Sequence, residues 1–97
     1  PALMGVSFKG DVEIAELLLH RNASVNQRNK TGATALIYAA NFGQTRIVQS
    51  LLSNGADPTL ADNTGNTALN HATMKGNSEM VTILKKHSIE KWLYYQL

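Results

Sequence analysis

The chain has 97 residues, no cysteine and a formal net charge of +2, which bounds it to one domain near the lower edge of what a single core can stabilise. At 43% hydrophobic and 16% charged it is too apolar for a disordered chain, and disulfide staples and thiolate metal sites are excluded. The charge is small and dispersed, unlike the dense basic patch of a nucleic-acid binder, and no apolar run approaches a bilayer span, so neither nucleic acid nor membrane is expected as a partner.

The opening "PALMGVSF" lacks the charged start and cleavage pattern of a signal peptide. Pro1 in place of Met leaves room for a preceding leader or domain, and localisation stays open with the cytoplasm as the expected compartment. The segment is the first writing of a phrase that returns as "TGATALIYAANFGQ" at 31–44 and "TGNTALNHATMKGN" at 64–77. Gly32 and Gly65, Thr34 and Thr67, Ala35 and Ala68, and Leu36 and Leu69 are all separated by 33 residues, and the same offset links Gly10 to Gly43 to Gly76 and Leu18 to Leu51 to Leu84. Pro1 falls where Thr34 and Thr67 stand, so the first copy begins inside its unit. A period of this size marks a solenoid, in which each unit buries its apolar face against its neighbours.

Within a unit, Thr34 is suited to cap a short helix over "ALIYAANF", which Gly43 stops. Gln44, like Asp11 and Asn77 in the other copies, opens a second helix, with Glu13 and Glu79 in first turns where the helix dipole favours them. "TRIVQSLLSN" places Ile47, Val48, Leu51 and Leu52 on one stripe and ends at Asn54-Gly55. "GADPTLADNTGNT" then supplies turn chemistry for a hairpin-like loop without a long strand. The expected fold is an all-α repeat: helix-turn-helix units spanning about 1–28, 29–61 and 62–87, a period and make-up set by the repeat.

The stretch "TGATALIYAANFGQTRIVQSLLSNGADPTLAD" resembles the ankyrin-repeat family, following its Gly-x-Thr-Pro-Leu-His-x-Ala-Ala start, inter-helix Gly, Val-x-x-Leu-Leu stripe and Gly-Ala-Asp close. The Pro is replaced by Ala35 and Ala68, and the His by Met4, Ile37 and Asn70, which implies loss of a polar tie between units. The Thr-Ala-Leu form is closer to bacterial members of the family. The resemblance implies an ankyrin solenoid that binds another protein through its concave face and loop edge.

On that resemblance the partner-facing positions are Arg28, Lys30, Thr31 and Ala33 in one loop, Asn63, Thr64 and Asn66 in the next, and the pairs Phe8-Lys9, Asn41-Phe42 and Met74-Lys75 before the helix-ending glycines. Phe8, Phe42 and Met74 stand off the core stripe, as anchors of a binding surface would, although folding back over a neighbouring unit is the competing role. Lys9, Arg28, Lys30 and Lys75 border that surface, so an acidic rim on the partner is expected, with this chain itself monomeric.

His20, His71 and His87 are the histidines, without metal spacing, and there is no phosphate-binding loop, so no cofactor and no enzyme activity are expected. His71 reads as a structural histidine tying two units, and Asp57 and Asp62 as turn caps in preference to a calcium loop. A stand-alone inhibitor or immunity protein plugging an enzyme's site is the alternative function; a catalytic or metal-binding protein is a remote one. The tail "SIEKWLYYQL" breaks the repeat. Ile89, Trp92, Leu93 and Leu97 recur at helical spacing, so 88–97 is expected to extend or restart the last helix as a cap over the end of the stack, the alternative being a docking peptide anchored by Trp92, Tyr94 and Tyr95.

Overall fold

A computed structural model describes residues 2–96, apart from the side chain of Phe8. Six helices follow in order: α1 Ala2–Lys9, α2 Val12–His20, α3 Ala35–Asn41, α4 Thr45–Ser53, α5 Ala68–Met74 and α6 Ser78–Gln96. They pair as α1 with α2, α3 with α4 and α5 with α6. The first helices pack in a row α1–α3–α5 and the second in a row α2–α4–α6. Among the described residues there is no strand, and the connecting segments are turns, as expected of the loops.

Local chemistry sets each boundary. The hydroxyls of Thr34 and Thr67 accept from the N–H groups of Ile37 and Asn70, and Asn70 Oδ1 accepts in turn from the Thr67 N–H, closing a capping box. Asp11 and Asn77 accept the N–H of Ile14 and Met80 at 3.1 Å each. Gln44 makes no such bond. Its longer side chain lies across the unit boundary, where a Cβ on Gly10 would stand 2.5 Å from Gln44 Oε1. Asn22 ends α2 at positive φ, in the role that Gly55 fills after α4, a conformation asparagine tolerates better than other side chains do.

The core lies between the two rows. Ile47, Val48, Leu51 and Leu52 are all buried, with Leu36 and Ile37 from α3 and Met80 and Leu84 from α6. The middle unit is enclosed from both sides, while the last unit is not. At the positions of Ile37, Ala40 and Leu52 it carries Asn70, Thr73 and Lys85, all exposed. A polar outer face of this kind is what lets a stack end in water. The segment 88–97, expected to extend or restart the last helix as a cap, extends it. Helix α6 runs on unbroken to Gln96, but Ile89, Trp92, Leu93, Tyr94 and Tyr95 are all at least half exposed. Leu97 lies outside the described residues. With Asn70, Thr73 and Lys85 already polar, the end has little apolar surface for the tail to cover.

Candidate functional site

The sequence-predicted surface residues fall into two strips. The loops preceding α3 and α5 carry Arg28, Lys30, Thr31, Asn63, Thr64 and Asn66 at the N-terminal ends of the first helices. Lys9, Asn41, Phe42, Met74 and Lys75 stand at their C-terminal ends. Seven helical residues separate the strips in α3 and α5, about 10 Å at 1.5 Å per residue.

The loop strip is held by backbone-like chemistry repeated in register. Asn29 Oδ1 accepts from the N–H and hydroxyl of Thr31 at 3.0 and 2.8 Å and from the N–H of Ala33 at 3.0 Å. One period later Asp62 Oδ1 accepts from the N–H and hydroxyl of Thr64 at 3.0 and 2.6 Å and from the N–H of Asn66 at 3.1 Å. Each residue uses its remaining side-chain atom to fasten the loop to the following helix. Asn29 Nδ2 donates to the Tyr38 hydroxyl at 2.7 Å, and His71 Nε2 lies 2.8 Å from Asp62 Oδ2, which as a carboxylate can only accept. Asp57 repeats the turn motif, accepting from Thr59 through both N–H and hydroxyl.

Neighbouring loops are also joined directly. Arg28 donates from Nη2 to the Ala61 carbonyl and from Nε to that of Gly32. Asn63 donates from its side chain to Lys30 O and from its N–H to Thr31 O, both at 2.9 Å. Asn26 bridges to Gly55 O and to the N–H of Asp57. These bonds tie neighbouring units at positions other than those where the family's histidine is replaced. His71 serves differently from expectation: its partner Asp62 belongs to the same unit, so it staples a loop to its own helix.

One of the predicted surface residues lies inside and another is engaged within the loops. Ala33 is buried, 5% exposed, because its N–H is drawn inward by Asn29 and its methyl packs with the core, so its side chain is not on the surface. Arg28 is exposed, and two of its five guanidinium N–H groups bond carbonyls of the loops. Lys30, Thr31, Asn63 and Thr64 are exposed and Asn66 partly so. In the second strip Phe42 is 44% and Met74 63% exposed, Lys9 and Lys75 are exposed, and Asn41 is half-buried. The side chain of Phe8 lies outside the described residues.

Hydroxyl and amide donors dominate the electrostatics of the loops. Asp62 is held well below the usual carboxylate range, chiefly by the Thr64 hydroxyl, then by His71 and the N–H of Asn66. The Thr59 hydroxyl and N–H lower Asp57 in the same way, with Lys91 adding a smaller attraction. Among the described residues Lys86 pairs with Glu90 and His71 lies against Asp62, and neither contact involves Lys9, Lys30 or Lys75. Among the described residues no three His, Asp or Glu side chains converge as a metal-holding group, and no helix is long and apolar enough to cross a membrane.

The paired loop staples were not singled out from the sequence. The signal was present: Asn29-x-Thr31-Gly32 and Asp62-x-Thr64-Gly65 share a register, and Tyr38 and His71 follow each by nine residues.

Residues 3–94 match the family model described as ankyrin repeats in three copies. The chain belongs to the ankyrin-repeat family, whose members generally mediate protein–protein contacts and are typically non-catalytic. Comparison with curated proteins gives no match.

Proposed function

We propose that the chain is a non-catalytic binding module that grips another protein across the row of first helices, between the loop strip and the helix-end strip. The observation that carries this reading is the exposure of Phe42 and Met74, at 44% and 63%, in the same two-residue position of consecutive units. Large apolar side chains exposed outside the core, at neighbouring positions of the repeat, are the form that binding anchors take. Lys9 and Lys75 stand beside them in the helix-end strip and Lys30 in the loop strip, so the partner surface carries carboxylates at its rim, where charge sets association rate more than affinity.

The test is affinity capture, followed by titration of the purified captured protein. Phe42→Ala should weaken binding by about 2 kcal/mol or more while leaving the unfolding midpoint close to wild type. Lys75→Glu should slow association and flatten its salt dependence, and Gln49→Ala and Glu79→Ala on the second helices should change neither. Unaltered affinity in Phe42→Ala, with binding lost in Trp92→Ala, would transfer the function to the tail of α6.

A further inference from the structure

The two ends of the stack are not alike. At the α6 end the last unit substitutes Asn70, Thr73 and Lys85 for the buried Ile37, Ala40 and Leu52. At the α2 end no such substitution is made. Ile14 aligns with Ile47 and Met80, which are both fully buried, yet Ile14 is 46% exposed. Leu17, aligned with the half-buried Ser50 and Ile83, is 49% exposed. Val6 is half-buried and Ala2 exposed where Ala39, Ala72, Ala35 and Ala68 are buried.

In units two and three this set of positions is covered by the preceding helix pair. Helix α3 packs on α1 and α5 on α3, while α4 packs on α2 and α6 on α4. The first unit therefore presents the surface of an interior unit, at the end where a terminal unit would be polar.

We infer that this α1/α2 face is a stacking surface for a further helix pair of the same repeat type, one that presents an apolar stripe like that of Leu36, Ile37, Ala40 and Leu52. The interface would continue, in register, the one already formed twice within the chain. A second copy of this chain does not fit the same place in head-to-tail fashion, because the face it would offer carries Asn70, Thr73 and Lys85.

A second copy of residues 34–66, one full period, placed directly ahead of Pro1 keeps the register, since Pro1 aligns with Thr67. The extended chain should unfold in one transition at a higher urea midpoint than the natural chain. Exchange of the Ala15 to Leu19 amides should slow by roughly tenfold or more. Ile14→Lys with Leu17→Lys should erase both gains in the extended chain and leave the natural chain's midpoint nearly unchanged. The inference is overturned if the added unit melts separately, if the gains survive the two lysines, or if those lysines unfold the natural chain, which would place Ile14 and Leu17 in its own core. Sedimentation showing a dimer of the natural chain that the lysines dissociate would assign the face to a second copy, and would overturn it too.

Discussion

The middle and last units are written on one template and solve it with different chemistry. In both, a side-chain oxygen one period apart, of Asn29 or Asp62, gathers a threonine hydroxyl and two backbone N–H groups into the same turn. The turn needs only a carbonyl-like acceptor, which an amide and a carboxylate supply equally. What differs is the second atom. The amide nitrogen of Asn29 donates to Tyr38, and the second oxygen of Asp62 accepts from His71. One staple is neutral and the other ionisable. The units differ in the same sense at their flanks, since the middle one is apolar toward both neighbours and the last is polar toward solvent. A repeat thus conserves its geometry while its polar partners and outer faces vary with position in the stack.

The sharpest way to break this contrast is at equivalent core positions. Leu51 is fully buried between two neighbours, and Leu84 is 2% exposed in the last unit. Leu51→Ala should cost about 2 to 5 kcal/mol, a large share of the roughly 5 to 15 kcal/mol of a domain's stability. Leu84→Ala should sit toward the lower end of that range, because the end of the stack can collapse around the cavity. Urea unfolding of the two variants measures the difference. A larger loss at Leu84 would mean that the last unit, not the middle one, anchors the fold.

A smaller contrast lies in the loop glycines. Gly32 and Gly65 both have positive φ, so alanine strains the backbone at either. At Gly32 a Cβ would also stand 2.5 Å from Asn63 Oδ1 and 2.9 Å from Asn63 N, whereas at Gly65 nothing lies within 4 Å. Gly65→Ala should cost about 1 kcal/mol, and Gly32→Ala more, since it also displaces the Asn63 bonds to Lys30 and Thr31. Equal losses, read from thermal midpoints, would show that the loops do not depend on their mutual contact.

The helices were legible because their signals are local and repeated. The 33-residue offset fixes the units, Thr34 and Thr67 fix the first-helix starts, and the Ile47, Val48, Leu51, Leu52 stripe fixes the core. The surface was less legible, because exposure depends on what each unit meets. Ala33 reads as a variable loop residue and is buried by the turn that Asn29 folds around it. The tail reads as a cap by its apolar spacing, but the polar residues that end the stack stand earlier, in α5 and at Lys85, where only comparison of aligned positions reveals them. Arg28 reads as a partner-facing cation, and its role as an inter-loop clamp depends on carbonyls of Gly32 and Ala61 that no pattern of side chains announces.

The smallest expected effect tests the staples themselves. Because Asp62 is held below its ordinary value of 3.8 in the folded chain, its carboxylate contributes stability that is fully present above that value. The contribution is lost as pH falls from about 4 toward the depressed folded value. Asn29 does not titrate, so the equivalent turn in the middle unit keeps its bonds throughout. Converting the last unit to the middle unit's chemistry, with Asp62→Asn and His71→Tyr together, should therefore reduce the loss of urea midpoint between pH 5 and pH 3 without abolishing it, since Asp57 is lowered too and titrates in the same window. The reciprocal change, Asn29→Asp with Tyr38→His, should steepen the loss. Both shifts should be modest, because these loops lie at the surface, where solvent screens the charge. Acid profiles that superimpose for all three chains would mean that the hydroxyl and N–H bonds of Thr64 and Asn66 stabilise the protonated Asp62 as well as the ionised one, and that the two staples differ in composition but not in response.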